Sequence, residues 1–343
     1  MLSCVFNFVD LGFVTFIKTF RTGYYNCSEM SLIGFVVHRL IQSVPVLLGV
    51  ALFTFLMLRV LPGDPALYIA GPEATAERVQ EIRVQLGLDR PLHEQLLRFL
   101  FDLLQGNLGL STRTGRPVVL EVLDRLPFTL ALAVVAEAIA IVLGITAGIF
   151  AAVRQGTIIS NVVTVVSLFG VSMPVYWQGL MLILIFSVTF RLLPAGGTGT
   201  PAHFVMPSMV LAFLLMANVM RIAKASMLEV LNQNYVRTAR AKGLRERLVI
   251  YRHALRNALI PVLTISGLQF GSLLGGAVLT ETVFAWPGMG RLIVDSILAR
   301  DYPLVQGAIL IFALLFVIVN IAIDVLYAYI DPRVREAFWA VRK

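Results

Sequence analysis

The sequence predicts an all-α polytopic membrane protein with six transmembrane helices. Hydrophobic residues make up 58% of its 343 residues and charged residues only 14%, whereas soluble domains carry roughly 25% charged residues. The mean hydropathy is +0.84. Several uncharged runs reach the roughly 20 residues that a helix needs to cross a hydrocarbon core of about 30 Å. These observations exclude an ordinary soluble domain.

Six runs without charged residues, apart from Glu137 in the second, predict the spans. The third run is too long for one upright helix, but splitting it would move the most basic loop outside, against the positive-inside bias. We therefore expect one broken or tilted span, with the break near Met173-Pro-Val-Tyr-Trp177, where Pro174 removes a backbone donor. The runs are Leu40–Leu58, Leu126–Val153, Gln155–Phe190, Phe204–Met220, Asn257–Thr280 and Tyr302–Ile323.

The same charge bias places both termini and the longest basic loop in the cytoplasm. It also accounts for the net charge of +8, so nucleic acid is not an expected partner, whereas membrane lipid is. The predicted organisation is an N-terminal extension (1–29) ahead of a start at Met30, a first span (30–60), an external segment (61–125), core spans (126–330) with a cytoplasmic loop (221–258), and a cytoplasmic tail (331–343).

The external segment is expected to contain two short amphipathic helices. The first is Thr75–Leu86, with Gly87 as its C-terminal cap, because glycine tolerates the left-handed conformation found there. The second is Pro91–Gln105. Its apolar side either lies in the membrane interface or packs on the spans, and packing is the interpretation we favour. That side carries Leu96, Leu97, Leu100, Phe101 and Leu104.

The basic loop between the fourth and fifth spans is the strongest candidate for function. Contact with anionic lipid headgroups would explain its charge, but not its length or its helix-favouring composition. Gly243 allows a sharp bend between two short helices, while Ala239 and Ala241 form a small surface able to enter a groove. The pattern predicts a docking element. Its cations are Arg221, Lys224, Arg237, Arg240, Lys242, Arg245, Arg247, Arg252 and Arg256.

A few residues in the spans are candidates for a pathway or a subunit interface. An ionised carboxylate in a span is costly and often functional, and for Glu137 a functional and a structural role both remain open. Asn218 and Gln269 are able to hydrogen-bond across helices. Gly271 and Gly275 belong to a small-residue stripe suited to close helix approach, so we expect the fifth span to line a central subunit interface.

No metal site, cofactor or catalytic group is predicted. Zinc and disulfide chemistry are not expected after residue 30, because no cysteine lies beyond it and the histidines have no ligand spacing. The chain also lacks the Gly-x-x-x-x-Gly-Lys-[Ser/Thr] pattern that cradles nucleotide phosphates. The residues concerned are Cys4, Cys27, His38, His93, His203 and His253.

The segment Thr238-Ala-Arg-Ala-Lys-Gly243, followed by His253-Ala-Leu-Arg-Asn-Ala-Leu-Ile-Pro261, resembles the cytoplasmic "EAA" loop of bacterial ABC-importer permeases, in the form found in the dipeptide/oligopeptide/nickel branch. Arg237-Thr238-Ala239 stands where that pattern has Glu-Ala-Ala, so Ala239 and Gly243 match strictly. The resemblance runs from about Gly34 to Arg335, with Asn107 in place of the usual Asp. Its other landmarks are Leu61–Pro65, Leu86–Leu92, Gly106–Ser111, Leu193–Gly197, Glu281–Gly290, Asp301–Pro303 and Asp331–Arg333.

This resemblance implies a type I ABC-importer permease fold with a cytoplasmic coupling helix, in the bacterial inner membrane. It also implies a homologous second permease, two ATPase subunits that hydrolyse ATP, and an extracytoplasmic substrate-binding protein as partners. For Trp286-Pro-Gly288, contact with the binding protein and anchoring at the interface are both open. The residues expected to dock on the ATPase are Arg237, Thr238, Ala239, Arg240, Ala241, Lys242, Gly243 and Leu244.

Three other classes of function are alternatives to an importer permease. An ion-coupled secondary transporter should show paired halves and several buried charges, yet only Glu137 fits. A membrane-embedded enzyme needs a nucleophile and base at matching depth, which the spans lack. An assembly factor without a pathway stays open. For the cargo, di- or oligopeptides are favoured on branch frequency, with glutathione, nickel chelates and opines as alternatives.

Overall fold

A computed structural model describes residues 32–60, 65–71, 74–85 and 87–330. The predicted N-terminal extension and the cytoplasmic tail lie outside the described residues. The described part is built from helices, which are in chain order α1 (Leu32–Val60), α2 (Pro65–Ala70), α3 (Ala76–Gln85), α4 (Leu92–Leu104), α5 (Val118–Val153), α6 (Ile158–Ser172), α7 (Val175–Leu182), π1 (Ile183–Thr189), α8 (Ala202–Leu231), α9 (Asn234–Ala241), α10 (Glu246–Leu248), π2 (Val249–Ala254), α11 (Leu255–Val283), α12 (Met289–Leu298) and α13 (Tyr302–Ile330).

Within the described residues, four helices are long enough to span a membrane, and two bent helix pairs bring the number to six when each pair is taken as one span. The helices α1, α5, α8 and α13 are each long and apolar enough to cross a membrane. The first bent pair, Ile158–Ser172 and Val175–Thr189, turns by 109°. The break falls at Met173 and Pro174, which confirms the predicted interruption of the third span. The second pair, Glu246–Gly271 and Leu273–Val283, bends by 54°.

The chain divides into two compact units, of which the first holds residues up to Pro62 and from Ala313 onward. Its described helices are α1 and the second half of α13. Within it, Arg39 and Asp324 form an ion pair of 3.0 Å, with both side chains 18% exposed. This pair ties the N-terminal part of α1 to the C-terminal part of α13. Asp324, which directly follows the predicted last span, therefore has Arg39 as its ion-pair partner.

In the second unit, Gly63–Phe312, helix α8 contacts α5, α6, α7 and α11. Glycines on its neighbours permit this approach. A Cβ at Gly148 of α5 would lie 2.7 Å from the carbonyl oxygen of Met220, and one at Gly170 of α6 would lie 2.7 Å from the Cβ of Ala217. Small residues allow helix backbones to approach closely in membranes. They therefore fix α5, α6 and α8 against one another.

The two amphipathic helices of the predicted external segment are present as α3 and α4. Thr75 accepts a hydrogen bond from the backbone N–H of Arg78 (3.3 Å), and Gly87 has a φ of +64°, which confirms the expected cap. The apolar side of helix α4 does not pack on the spans, contrary to the interpretation favoured from the sequence. It has no buried residue, and Leu97, Phe101 and Leu104 are exposed, because no described part of the chain covers that face.

Candidate functional site

The basic loop folds into two short helices joined by a sharp bend. We call residues 234–254 the basic elbow. Helix α9 ends at Ala241, and Gly243 follows with a φ of +75°. The N–H of Gly243 bonds to the carbonyl of Arg240 (2.9 Å), and the N–H of Leu244 bonds to that of Ala239 (3.4 Å). A left-handed glycine that closes a helix in this way is a common helix ending, and it confirms the predicted bend.

The elbow is packed onto the ends of three spanning helices. Its apolar residues share one buried cluster with Ala152 of α5, Met227 of α8 and Ala258 of α11. Asn257 also donates a hydrogen bond to the hydroxyl of Tyr235 (2.8 Å). A force on the elbow therefore acts directly on three spans. The elbow residues of the cluster are Val236, Ala239, Val249, Ile250 and Ala254.

The face of α9 that points away from the spans is cationic. Arg237, Thr238, Ala241 and Lys242 are exposed. Arg240 binds Glu246 across the bend at 2.7 Å, and this hydrogen bond raises the pKa of Arg240 above its ordinary value. The bend is thus closed by an ion pair as well as by the glycine.

Ala239 does not have the position that the sequence suggested. Its side chain is 6% exposed and packs inside the chain's own cluster, because Val236 and Ala239 lie one turn apart on the inner side of α9. It is not available to enter a groove on another protein. Ala241 is exposed, so it remains available to enter a groove on another protein, together with the cations that surround it.

A π-helical turn, π2, connects α10 of the elbow to α11. Val249 and Ala254 at its two ends are fully buried, so the turn is anchored on the spans at both ends. Single π-helical turns are rare and frequently lie at functional sites. The elbow is therefore joined to the fifth span by a segment with an atypical hydrogen-bond register.

A buried carboxylate organises the opposite end of the bundle. Glu281 is fully buried and accepts hydrogen bonds from the hydroxyl of Thr129 (2.6 Å), the N–H of Arg291 (3.1 Å) and the N–H of Gly290. Thr129 in turn accepts from the N–H of Met289 (2.8 Å). We call these residues the carboxylate clamp. It supplies acceptors to the first turn of α12, whose N–H groups have no partner within the helix, and joins α5, α11 and α12.

Trp286 lies inside this end of the bundle. It is 1% exposed, its ring is edge-on to Phe204 with centroids 4.4 Å apart, and its indole N–H donates to the carbonyl of Phe128 (3.1 Å). Gly288 is also buried, whereas Pro287 is partly exposed. Trp286, Pro287 and Gly288 were the candidates for contact with a binding protein. Among these three, Pro287 is the residue whose side chain is accessible.

A second buried carboxylate fastens the segment before α5. Asp301 is 1% exposed and caps α13 by accepting from the N–H of Leu304 (3.2 Å). It also accepts from the hydroxyl of Ser111 (2.5 Å) and from the N–H of Thr112 (3.2 Å). The segment around Ser111 is consequently held at the start of the last span, at the same end of the bundle as the carboxylate clamp.

Comparison with known families identifies this architecture. Residues 144–336, more than half of the chain, match the family described as "Binding-protein-dependent transport system inner membrane component". Residues 32–133 match the family of its N-terminal segment. The chain belongs to this transport family. It is thus a permease subunit of an ABC importer, a multi-pass protein of the inner membrane.

Individual relatives and structures agree with this assignment. The permease is 44% identical over 304 residues to the glutathione transport system permease protein GsiC of Escherichia coli O6:H1, which covers 89% of this chain and 99% of the relative. GsiC of Shigella dysenteriae serotype 1 is 43% identical over the same shares. The inward-facing methionine ABC transporter MetNI has a TM-score of 0.52 at 18% identity, covering 62% of this chain and 97% of that chain, which shows a shared fold.

The residues predicted for a pathway or an interface are dispersed in the permease. Glu137 is 8% exposed, and its Oε2 has no hydrogen-bond partner within the described residues. Asn218 accepts a bond from Arg221 (3.4 Å). On α11, Gln269 is half-buried and Gly271 is buried, whereas Gly275 is exposed with open space beside it. The structure does not bring these residues together into one site.

Sequence reasoning missed the carboxylate clamp. It singled out Trp286 to Gly288 and gave Glu281 no role. A signal was available in the pair Gly288 and Gly290, because two glycines so close together indicate a backbone pressed against another group. A side chain at Gly288 would collide with the carboxylate of Glu281, and one at Gly290 would collide with the backbone of Val278. Thr129, however, lies 152 residues away, so the pairing itself needed the fold.

Proposed function

We propose that this permease imports small peptides, glutathione included, by coupling to a separate ATPase through the basic elbow. In this proposal the elbow faces the cytoplasm, both termini lie on that side, and the carboxylate clamp faces outward. The chain itself is non-catalytic: the ATPase supplies ATP hydrolysis, and an extracytoplasmic binding protein delivers the cargo to the outer end.

The observation that carries the proposal is the position of the elbow. Its inner face is buried on α5, α8 and α11, whereas its outer face carries Arg237, Ala241 and Lys242 exposed to solvent. Electrostatic complementarity sets the specificity and speed of association more than its strength, so the expected partner surface is an acidic groove on the ATPase. Because the elbow is fixed to three spans, movement of that partner acts on the pathway.

A second permease is expected to pack along α11. Gly275 is exposed with open space where a side chain would project, and the exposed Leu268 and Leu279 lie on the same side of the helix. Small residues flanked by larger apolar ones suit close packing of two helices in a membrane. We propose an assembly of two permeases and two ATPases, with Pro287 available to the docked binding protein.

The cargo class rests on the relatives. GsiC is named for glutathione transport and matches this permease over nearly its whole length, which favours glutathione within the wider class of small peptides. Nickel chelates and opines are the alternative cargo classes. Measuring which compounds compete with uptake of labelled glutathione distinguishes them: competition by tripeptides supports the proposal, whereas competition by a nickel chelate alone contradicts the cargo class.

Replacing Gly243 by Val tests the coupling role. A residue other than glycine in the left-handed conformation costs about 1–2 kcal/mol, which corresponds to a roughly 5- to 30-fold shift in an equilibrium. We expect Gly243→Val to reduce cargo-stimulated ATP hydrolysis and uptake by proteoliposomes by about that factor. The complex of permease, ATPase and binding protein is the sample.

Gly156 provides a matched control. It has a φ of +79° in the turn between α5 and α6, and, like Gly243, it has no heavy atom within 4 Å of a Cβ position. Gly156→Val therefore introduces the same backbone strain outside the elbow and should leave coupling largely intact. Equal losses in the two variants would show that the elbow has no special role.

A further inference from the structure

One side of helix α4 carries a ridge of large apolar side chains. Leu97, Phe101 and Leu104 follow one another at spacings of four and three residues, so they are neighbours on the helix surface. Their side chains are 66%, 61% and 86% exposed, and no described part of the chain covers them. We call these three residues the apolar ridge.

The opposite side of α4 is held by the chain itself. Gln95 lies across the helix from Leu97 and Leu104, and its side-chain amide donates a hydrogen bond to the backbone carbonyl of Arg90 (2.8 Å). The loop before α4 therefore occupies that side of the helix. The apolar ridge is consequently left facing outward.

The loop after α4 fixes the height of the helix relative to the spans. A Cβ at Gly307, in the second turn of α13, would lie 3.3 Å from the Cβ of Leu108, and it would collide with Val118, the first residue of α5. Both α5 and α13 are long and apolar enough to span the membrane. Leu104 is four positions before Leu108, and an extended chain covers at most about 14 Å over that length. The end of α4 therefore lies close to the level at which both spans leave the membrane.

The span that follows is apolar on its surface at the same end. Leu120 and Leu123, in the first two turns of α5, have exposed side chains. In a spanning helix such side chains contact lipid. Lipid therefore surrounds the structure at the level where α4 ends.

The charges of α4 do not favour attraction to an anionic surface. Glu94 and Asp102 stand against Arg98, with His93 as the remaining titratable side chain of the helix. Binding of α4 to a bilayer would come from burial of the apolar ridge, because a polybasic face is what draws a helix to anionic headgroups.

We propose that α4 lies in the membrane interface at the clamp end of the bundle, with the apolar ridge inserted into the lipid. Interfacial amphipathic helices bury their apolar face about 5–10 Å into the boundary between headgroups and acyl chains. Asp301 fastens Ser111 and Thr112 to the start of the last span. The segment before α5 is then held at two points, by the bilayer through α4 and by Asp301.

The test uses the assembled importer, without binding protein, in phosphatidylcholine nanodiscs. The background carries Cys4→Ser and Cys27→Ser, which removes both native cysteines. Leu97→Cys, Phe101→Cys or Leu104→Cys then carries an environment-sensitive NBD fluorophore. For each of these labels we expect blue-shifted emission, strong quenching by lipids spin-labelled near the headgroup, and little quenching by iodide in solution.

Arg98→Cys is the matched control on the same helix. Arg98 is exposed and lies about 100° further round the helix than Leu97, toward the polar side. Its label should be quenched by iodide and only weakly by the spin-labelled lipid. Equal lipid quenching at Arg98 and at the apolar ridge would overturn the proposal, because the ridge would then have no preferred side.

The other outcomes identify what covers the apolar ridge. Iodide quenching of the ridge labels would show that the ridge faces water, and protection from both iodide and lipid would show that a protein subunit covers it. Either result rejects the lipid assignment. Lipid quenching that appeared only after phosphatidylglycerol was added would also reject it, because attraction to headgroup charge would then replace apolar burial as the cause.

Phe101→Asp tests the same surface without a label on the altered residue. A charge in the apolar ridge should make a label at Leu104 accessible to iodide, whereas Arg98→Gln should leave that label protected. An unchanged label at Leu104 in Phe101→Asp would contradict the insertion. The result is independent of the proposed function, since nanodiscs expose both leaflets and the measurement needs neither cargo nor ATP.

Discussion

Removing the carboxylate of Glu281 is expected to detach the first turn of α12 from α5 and α11. The side chain is fully buried and accepts from Thr129, Gly290 and Arg291. In Glu281→Ala all three donors lose their acceptor at once. Thr129 retains only its bond from the N–H of Met289, so the contact between α5 and α12 is weakened as well.

The magnitude follows from the number of donors. Each buried group left without a partner costs about 1–3 kcal/mol, so three donors predict a loss of at least about 3 kcal/mol for Glu281→Ala. Glu281→Gln keeps one acceptor oxygen but turns an amide toward N–H donors, and it should have an intermediate effect. Thr129→Val removes one donor to Glu281 and the acceptor of Met289, for an expected loss of about 2 kcal/mol.

The assay is equilibrium unfolding of the detergent-solubilised permease by SDS, followed by circular dichroism and tryptophan fluorescence. Because Glu281 and Thr129 share one network, the double variant should lose less than the sum of the two single variants. Glu94→Gln is the matched control: Glu94 is exposed on α4, and its side chain has no bond within the described residues.

The reasoning is refuted if Glu281→Ala unfolds at the same SDS concentration as Glu94→Gln. Strict additivity of the Glu281 and Thr129 substitutions would also contradict it, because independent sites add and members of a shared network do not.

Three further predictions concern other contacts. Gly148→Val should destabilise the permease by about 1–3 kcal/mol through overpacking between α5 and α8, whereas Gly275→Ala, which has open space, should fold normally; the yield of monodisperse protein measures both. Asp301→Ala should expose the segment before α5 to limited proteolysis, since Asp301 is its anchor; unchanged cleavage would contradict this role. Asp324→Asn should cost about 1–2 kcal/mol because it leaves the charge of Arg39 partly buried, and adding Arg39→Gln should recover some of that loss in the SDS titration.

Several elements of the fold were predictable because their causes are local. Pro174 removes a backbone donor and breaks the third span where expected. Gly87 and Gly243 both adopt the left-handed conformation that their positions after helical segments indicated. These features depend on a few neighbouring residues, so the sequence pattern was sufficient to find them.

Other features depended on groups that meet only after folding. Ala239 belongs to a segment suited to docking, yet packing on Ala152 and Met227 turns it inward. Trp286 has the amphipathic character of an interfacial residue, but Phe128 and Phe204 enclose it. The apolar face of α4 was expected to pack and instead lies exposed in the described structure.

The sequence by itself determined a six-span membrane protein with a basic, bent loop, because hydropathy, charge bias and glycine positions act over single helices; its likeness to importer permeases rested on motifs along the chain. Only the tertiary structure decided which residues join the spans at the two ends. Glu281 and Thr129 are 152 residues apart, and Ala152 packs on the elbow's inner face from a helix much earlier in the chain. Which buried donor meets which acceptor is set by how the helices pack, and no periodicity along the chain encodes that pairing.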